Sequence, residues 1–333
     1  MNQHTMFSKD IGIDLGTANV VIHVKGRGIV LDEPSVVAIK RSTGNVLAVG
    51  TEAYQMVGRT PGDIVAIRPL RDGVIADFAT TEEMLRHFVE KIQVRGFFGG
   101  IRMLICTPAN VTPVEAKAIR EAAEKAGAKE VFLAVEPKAA AVGSGMDIWK
   151  PVGHMIVDIG GGTTDVAILS MGDIVCGETI KIAGDRFDTD ILRAIKDKHK
   201  LVIGERTAEQ IKKEIATVFP GGRNETMDIR GRDMVRGLPR TVTITSEELR
   251  EAMAESANEI VEATKRVLEQ TPPELAADII DRGIIMTGGG SLLHGIDQLV
   301  AERVGLPVMI AEEPTLSVAH GTGIMLEHLD RLK

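Results

Sequence analysis

Apolar positions along the chain repeat with two spacings, one typical of strands and one typical of helices. Short apolar runs such as residues 155–159 and 166–169 have the length and composition of buried strands. Residues 80–92 instead place their apolar side chains at helical spacing, so that they share one face. Strands and helices of this kind alternate along the chain, which predicts an α/β fold.

Local signals predict where the helices begin and end. Thr112 is expected to cap a helix that starts at Pro113, with Glu115 completing a capping box and Gly127 ending the helix. The sequence predicts further helices over residues 52–58, 80–92, 187–199, 207–219, 246–270 and 317–333, and one directly after the glycines at 288–290.

A glycine-rich turn at residues 160–162 separates two of the apolar strands. Asp158 precedes the turn, and Thr163 and Thr164 follow it. Glycines let backbone N–H groups approach an anion closely. An acid beside a phosphate would repel it unless a cation lay between them, so Asp158 implies Mg²⁺. The alternative is an ordinary β-hairpin with a flexible tip.

A second copy of this pattern lies near the N-terminus. An apolar strand, Asp14, a turn with Gly16 and Thr17, and another apolar strand follow one another in the same order. Two such copies suggest a duplicated domain, in which each half lends one hairpin to a shared ligand.

Three more features are candidates for ligand binding. Glu136 follows a strand and begins a helix, where α/β proteins bind ligands, although a solvated acid at a helix start is the alternative. Glu209 lies three and four residues before Lys212 and Lys213, a spacing that suits either a nucleoside contact or an ordinary surface pair. The glycines at 288–290 form a third strand exit where backbone can approach a flat ligand.

Composition excludes several classes of protein. The 333 residues carry a net charge of −8 and only 3% aromatic residues, which argues against nucleic acid as the main partner. There is no run of 18 apolar residues that could span a bilayer, and the polar N-terminus resembles no signal peptide. The chain is therefore expected to stay in the cytoplasm.

Phe97 and Phe98 lie between glycines directly after a predicted helix. Two adjacent side chains cannot both point to one helical face. They are expected either to fold back into the core or to form an exposed apolar tip for a membrane or a partner.

The order of these motifs resembles the phosphate-1, connecting, phosphate-2 and adenosine motifs of the actin, Hsp70 and sugar-kinase superfamily. The motifs are Asp14-Leu15-Gly16-Thr17, Glu136-Pro137-Lys138-Ala139-Ala140, Asp158-Ile159-Gly160-Gly161-Gly162-Thr163 and Gly288-Gly289-Gly290-Ser291. Segments 67–77, 204–209, 229–233 and 271–279 are similar to those of the MreB family of bacterial actin homologues. Asp10-Ile11-Gly12, Asp165 and Phe187 suggest its Mbl branch.

The resemblance implies an actin-like ATPase fold of two duplicated lobes around a nucleotide cleft, each with a small inserted subdomain. The expected boundaries are 1–32, 78–143 and 315–333 for the core of lobe I, 33–77 for its small subdomain, 144–180 and 246–314 for the core of lobe II, and 181–245 for its small subdomain.

The resemblance also implies that the cleft holds ATP and Mg²⁺. Asp14 and Asp158 would hold Mg²⁺ through its waters, while Glu136 and Thr163 would position the water that attacks the γ-phosphate. Eukaryotic actins and Hsp70s have a lysine that reaches the phosphates from the first lobe. Here Asn19 follows the first turn and no such lysine is evident, so slow turnover is expected. The residues expected to bind the nucleotide are Gly16, Thr17, Ala18, Asn19, Gly160, Gly161, Gly162, Thr163, Glu209, Lys212, Lys213, Gly288, Gly289 and Gly290.

At the level of the cell, the resemblance implies a slow Mg²⁺-dependent ATPase that polymerises into membrane-associated filaments, organises cell-wall synthesis and maintains rod shape. The expected partners are other copies of the chain, cell-wall elongation proteins, and the inner face of the membrane through Phe97 and Phe98. The alternatives are a small-molecule kinase of the same superfamily, which usually has larger insertions than 33–77 and 181–245, a chaperone ATPase, which needs a peptide-binding domain, and a module that binds ATP without hydrolysing it.

Overall fold

The structure is a computed structural model that describes residues 9–93, 100–327 and 329. Its strands are β1 (Lys9–Leu15), β2 (Asn19–Val24), β3 (Gly28–Pro34), β4 (Val37–Lys40), β5 (Val46–Val49), β6 (Ile64–Ile67), β7 (Leu70–Arg71), β8 (Val74–Ile75), β9 (Ile101–Thr107), β10 (Ala128–Val135), β11 (His154–Ile159), β12 (Thr164–Ser170), β13 (Asp173–Ile180), β14 (Leu201–Val202), β15 (Thr226–Asp233), β16 (Pro239–Thr245), β17 (Ile284–Thr287) and β18 (Val308–Ile310). Its helices are α1 (Thr51–Met56), α2 (Phe78–Lys91), α3 (Pro113–Lys125), α4 (Glu136–Gly143), α5 (Gly184–His199), α6 (Glu205–Ile215), α7 (Ser246–Glu269), α8 (Pro273–Arg282), α9 (Ile296–Val304) and α10 (Ser317–Leu326).

The first lobe is built on a five-stranded sheet with the order β10-β9-β1-β2-β3. Its central strand, β1, pairs in parallel with β9 and antiparallel with β2. Alternate side chains point to opposite faces of a strand. Met103 and Ile105 therefore join the core beneath α2 and α3, whereas Leu104 and Cys106 face α4 and α10.

The second lobe repeats this arrangement strand for strand. Its sheet has the order β18-β17-β11-β12-β13, with β11 parallel to β17 and antiparallel to β12. Asp14 is the second-to-last residue of one central strand, and Asp158 is the second-to-last residue of the equivalent one. The shared order and strand directions confirm the predicted duplication.

The lobes are joined through α4 and α10, which pack between the two sheets. Their core includes Leu104 from the first sheet and Ile156 from the second. The helices cross with their backbones in contact, because a Cβ atom on Gly321 would overlap the carbonyl oxygen of Ala139, and one on Gly143 would overlap that of Ser317. Only glycine fits at these two crossing points.

Each lobe also carries a small sheet inserted into its sequence. Strands β5-β4-β6 form the first, and β14-β15-β16 form the second. These strands fall within the segments 33–77 and 181–245 that the sequence analysis set apart.

Several predicted helix boundaries are wrong, and tertiary contacts explain them. Helix α5 starts at Gly184 because its first N–H groups bond to the carbonyls of the 160–162 turn. Helix α6 stops at Ile215 because Val218 bonds to the carbonyl of His294. The glycines at 288–290 lead into a single 3₁₀ turn, Gly289–Leu292, and not an α-helix.

The predicted capping box is confirmed. The Thr112 hydroxyl accepts from the N–H of Glu115, and the Glu115 carboxylate accepts from the N–H of Thr112. Of the helices in the described ranges, none is both long and apolar enough to cross a membrane.

Candidate functional site

A cavity of about 620 Å³ lies between the two lobes. Its volume is in the range of ordinary small-molecule sites, roughly 300–1,000 Å³. Every residue that the sequence analysis assigned to the nucleotide, the metal or catalysis lines it: Asp14, Gly16, Thr17, Ala18, Asn19, Glu136, Asp158, Gly160, Gly161, Gly162, Thr163, Glu209, Lys212, Lys213, Gly288, Gly289 and Gly290.

The two glycine turns, one from each lobe, contact each other where they line the cavity. A Cβ atom on Gly161 would lie 2.7 Å from the Cβ of Ala18, and one on Gly162 would lie 2.7 Å from the hydroxyl oxygen of Thr17. Real Cβ atoms do not approach other atoms this closely. The glycines are therefore required for the turns to come together.

The backbone of the turns offers hydrogen-bond donors to the cavity. In the parts of the chain that the structure describes, the N–H groups of Gly16, Thr17, Gly161 and Gly162 find no acceptor. The carbonyl oxygens of Gly160 and Gly161 instead accept hydrogen bonds from the first two N–H groups of α5, with nitrogen-to-oxygen distances of 3.1 and 2.8 Å. Unpaired N–H groups in a turn form a site for an anion.

Acidic side chains converge beside these donors. Burial, followed by the charge of Asp32, raises the pKa of Asp14 to about 7. Burial also raises the pKa of Asp158 and of Glu136 well above the usual range, and the charges of Asp165 and Asp14 add to both shifts. Among the described residues, no cationic side chain offsets the repulsion at Asp158 or Glu136. A bound cation would do so, and the site fits one.

Asp165 ties the lobes together behind the cavity. It lies opposite Asp158 in the hairpin and accepts hydrogen bonds from the Thr179 hydroxyl at 2.6 Å and from the N–H of Ala109, in the first lobe, at 3.2 Å. The hydroxyl of Thr163 also bonds to Asp165. This network fixes Thr163 where it lines the cavity.

The helix α6 supplies the charged wall of the cavity. Lys212 Nζ lies 2.9 Å from Asp188 and donates to the carbonyl of Gly184 at 2.9 Å. Glu209 accepts from Lys213 at 2.6 Å. These contacts hold two of the predicted nucleoside contacts, Glu209 and Lys212, in place.

The third glycine turn closes in on the second-lobe hairpin. Gly288 has a φ of 79°, and a Cβ atom there would overlap the carbonyl oxygen of Ile159. Only glycine combines this backbone angle with this approach. The turn thereby brings the backbone of Gly289 and Gly290 to the cavity wall.

Sequence reasoning missed other residues that line the cavity. Those with charged or phenolic side chains are Asp32, Tyr54, Arg68, Asp185 and Asp188. Asp185 follows a strand and a glycine, a signal that could have identified it. Tyr54 and Arg68 belong to no ligand-binding motif and are brought to the cavity by folding.

The predicted membrane contact consists of two neighbouring phenylalanines. Phe97 and Phe98 lie outside the described residues. Their exposure stays a prediction.

Comparisons with known proteins extend over the whole chain. A family model described as MreB/Mbl protein matches residues 8–333. The cell shape-determining protein Mbl of Bacillus cereus is 68% identical over 98% of both chains, and the cell shape-determining protein MreB of Escherichia coli K12 is 50% identical over 98% of this chain and 95% of its own. The crystal structure of MreB5 of Spiroplasma citri bound to ADP is 41% identical, with a TM-score of 0.92 over 97% of this chain and 98% of that one. The same protein bound to AMPPNP also has a TM-score of 0.92.

These similarities agree with the two duplicated lobes and with the cleft between them. Because the family model covers nearly all residues and an Mbl protein is the more similar of the two relatives, the chain belongs to the MreB/Mbl family, on its Mbl branch.

Proposed function

We propose that the chain binds ATP together with Mg²⁺ in the cleft and hydrolyses it slowly. The observation that carries this proposal is the meeting of two glycine turns next to Asp14 and Asp158, with N–H groups that find no acceptor among the described residues. Structures of MreB5 of Spiroplasma citri with ADP and with AMPPNP support it.

The two aspartates are the proposed magnesium-holding groups. The described residues contain no cluster of three or more His, Cys, Asp or Glu side chains that could ligate a metal directly. Mg²⁺ keeps several waters and binds through few carboxylates together with substrate phosphates, so Asp14 and Asp158 would hold it through its waters. When bound, the ion would neutralise charge on the phosphates.

Glu136 and Thr163 are the proposed positioning groups for hydrolysis. A cation near Asp158 would lower the pKa of Glu136 and so favour its ionised form. The ionised carboxylate can accept a hydrogen bond from the attacking water. Thr163, held by Asp165, would bind the same water from the second lobe. Phosphoryl transfer depends mostly on such positioning and on charge stabilisation.

The remaining predicted contacts belong to the nucleoside and to the phosphates. The unpaired N–H groups of Gly16, Thr17, Gly161 and Gly162 would bind phosphate oxygens, with Ala18, Asn19 and Gly160 shaping the turns. Glu209, Lys212 and Lys213 would face the ribose and base from one side. The backbone of residues 288–290 would face the base from the other.

We further propose that the chain divides as the sequence analysis set out. The cores of the lobes would comprise 1–32, 78–143 and 315–333 in one case and 144–180 and 246–314 in the other. The small subdomains would be 33–77 and 181–245. The positions of the two small sheets support these divisions.

At the level of the cell, we propose that the chain polymerises into membrane-associated filaments that organise cell-wall synthesis and maintain rod shape. The relatives named cell shape-determining proteins Mbl and MreB support this role. Its partners would be other copies of the chain, cell-wall elongation proteins and the inner face of the membrane.

Magnesium-dependent nucleotide binding tests the proposal most directly. Calorimetric titration with ATP should give tight binding in Mg²⁺ and much weaker binding in EDTA, and Asp158→Asn should reduce this difference. Electron microscopy with and without ATP should show nucleotide-dependent filaments. Equal affinity with and without the ion would contradict the proposal.

A small-molecule kinase is the alternative that membership of the MreB/Mbl family disfavours. Incubation with ATP and a panel of sugars separates the two. We expect only inorganic phosphate, whereas a sugar phosphate would support the kinase.

The membrane contact has its own test. Phe97→Ser combined with Phe98→Ser should lower co-sedimentation with liposomes, because the apolar tip would be lost. Val235→Ser with Leu238→Ser is a control, since these residues are exposed apolar positions on the β15–β16 turn. Unchanged pelleting of the phenylalanine variant would discard the idea.

A further inference from the structure

The small subdomains touch across the cleft through side chains of α1 and α6. The hydroxyl of Tyr54 donates a hydrogen bond to Oε2 of Glu209. The guanidinium of Arg206 lies over the Tyr54 ring, with Cζ 5.0 Å from the ring centroid, and Nη1 donates to the carbonyl of Gln55 at 3.3 Å. Three contacts of different kinds thus join the same two helices.

This contact is separate from the other links between the lobes. The lobes are also joined at α4 and α10, at the meeting of the glycine turns and at the bond from Ala109 to Asp165, and the charge of Arg68 acts across the cleft on Asp185. None of these four links involves α1 or α6. Helix α1 packs instead on the small sheet β5-β4-β6.

The contact also belongs to the cavity wall. Tyr54 and Glu209 both line the cavity and both are half-buried. Glu209 is at the same time one of the proposed nucleoside contacts. Its carboxylate is therefore held by Tyr54 from the first lobe and by Lys213 from the second.

The charge states make the hydrogen bond from Tyr54 a strong one. Burial, and then the hydrogen bond to Glu209, raise the pKa of Tyr54 to about 12, so its hydroxyl stays protonated and donates. Burial acts to raise the pKa of Glu209, but hydrogen bonds from Lys213 and Tyr54 outweigh it and lower the pKa. A hydrogen bond to an ionised carboxylate is about twice as strong as one between neutral groups.

We propose that Tyr54, Arg206 and Glu209 form a cross-cleft latch that positions Glu209 at the nucleoside and slows release of the nucleotide. This inference rests on the proposed nucleotide-binding function. The two small subdomains can separate only if the hydrogen bond and the stacked guanidinium contact are broken. Tyr54 acts here through Glu209 and is a positioning residue.

Nucleotide release is the quantity that tests the latch. Tyr54→Phe keeps the ring beneath Arg206 and removes only the hydroxyl. Full-length protein at a concentration too low to polymerise is loaded with tritiated ADP and Mg²⁺, then chased with unlabelled ADP and filtered at intervals. Losing one charge-assisted hydrogen bond is expected to speed release about tenfold, with a smaller change in the association rate.

Two further variants distinguish positioning from a general loss of structure. Glu209→Gln should also speed release, and the effects of the two changes should be less than additive in the double variant. Both changes act on the same bond, because Tyr54→Phe removes its donor and Glu209→Gln removes the charge of its acceptor. If Tyr54→Phe folds poorly, Arg206→Met tests the latch from the second lobe. Ser42→Ala is the matched control, because Ser42 bonds to Asp63 within the first small subdomain and crosses no cleft.

The outcomes separate the latch from the proposed function. If the wild type binds ADP and Tyr54→Phe releases it at the same rate, the latch is overturned while nucleotide binding stands. Additive effects in the double variant would likewise overturn it. If the wild type binds no ADP, the latch and the proposed function fail together.

Discussion

Three carboxylates in the cleft, Asp14, Asp158 and Glu136, repel one another because burial keeps them from water. Clustered acids of this kind are costly to a fold unless a ligand uses them. Beside them lie N–H groups of the glycine turns that have no acceptor in the described part of the chain. A cation and a polyphosphate bound together would satisfy both the carboxylates and the N–H groups. Either ligand alone would leave one of these two sets without a partner.

The first prediction at the residue scale concerns hydrolysis. Glu136→Ala should keep ATP affinity near the wild-type value and abolish phosphate release, because the attacking water loses its acceptor while the phosphate cradle is unchanged. A phosphate-release assay beside a binding titration measures both. Glu130→Ala, at an exposed position in the preceding strand, is the control. Undiminished release from Glu136→Ala would remove that residue from the mechanism.

The second concerns Arg68, a first-lobe cation on the cavity wall. Burial raises the pKa of the half-buried Asp185, and the charge of Arg68 partly offsets this rise. Arg68 lies in the lobe where no phosphate-binding lysine was found. Arg68→Ala should weaken ATP binding about tenfold, as expected for losing one contact with a charged group, and leave adenosine binding nearly unchanged. Parallel titrations with ATP and adenosine check this. An equal loss for both ligands would contradict a phosphate contact.

The motif residues of the cleft could be predicted from the sequence because their signal is local. A glycine turn after a strand with an adjacent acid is visible within about ten residues, and each such residue lines the cavity. Tyr54, Arg68 and Asp188 lie in segments without such a signal. Their place in the cavity depends on how the small subdomains and α5 pack, which no local pattern contains.

At the scale of elements, α4 and α10 cross in close contact within the core that the two sheets share. Backbone touches backbone at Gly143 and Gly321, and each position excludes even a methyl group. Both helices are rich in small residues, which is what such a close crossing requires. The sequence predicts a helix at each place but not that the two helices meet.

The prediction at this scale follows from that crossing. Gly321→Ala should lower the free energy of unfolding by about 1–3 kcal/mol, the usual effect of overpacking, because the neighbouring atoms belong to backbone. Chemical denaturation measures it. Gly62→Ala is the control, since a Cβ atom there meets open space. Equal stability of the two variants would show that the helices can shift apart freely.

Helix ends show why element boundaries are harder to predict than elements. The box at Thr112 was predicted correctly because all its partners lie within four residues. Helix α2 starts earlier than predicted because Asp77 caps it by accepting from the N–H of Thr80. The ends of α5 and α6 depend on residues more than 20 positions away, so local signals could not locate them.

For the whole molecule, duplication was the prediction that determined the architecture. Two copies of one motif led to two sheets of the same order, and the structure has them. What the repeat could not reveal is how the lobes are held together. The shared core around α4 and α10 and the contacts of α1 with α6 occur once in the molecule and have no repeated signal.

Each lobe contains a half-buried or buried histidine whose neutral form the fold favours. Burial and then the charge of His320 lower the pKa of His23, against an opposing effect of Glu327. Burial and then Arg282 lower the pKa of His154, against opposing effects of Asp147 and Asp278. A histidine whose pKa is lowered in the folded state stabilises the fold at pH values above its pKa in the unfolded state, which is near 6.5. This stability is lost as the pH falls through the pKa of the folded state.

The prediction for the whole molecule is a loss of thermal stability on acidification. The melting temperature should fall between pH 7.5 and 5.5, and it should fall less in a His23→Gln, His154→Gln double variant. Differential scanning fluorimetry at both pH values measures it. His87→Gln, at an exposed histidine, should behave as the wild type. An equal drop in the double variant would exclude these two histidines as the cause.

The position of α10 in the sequence has a consequence for synthesis. This helix covers a face of the first sheet and contacts β1, yet it is translated after every strand and helix of the second lobe. A nascent chain on the ribosome therefore holds an uncovered N-terminal sheet until about residue 326 has emerged, while the second lobe can already be complete. We expect chaperones that bind exposed apolar surface to engage the earlier half of the polypeptide, and to be released only once α10 has emerged.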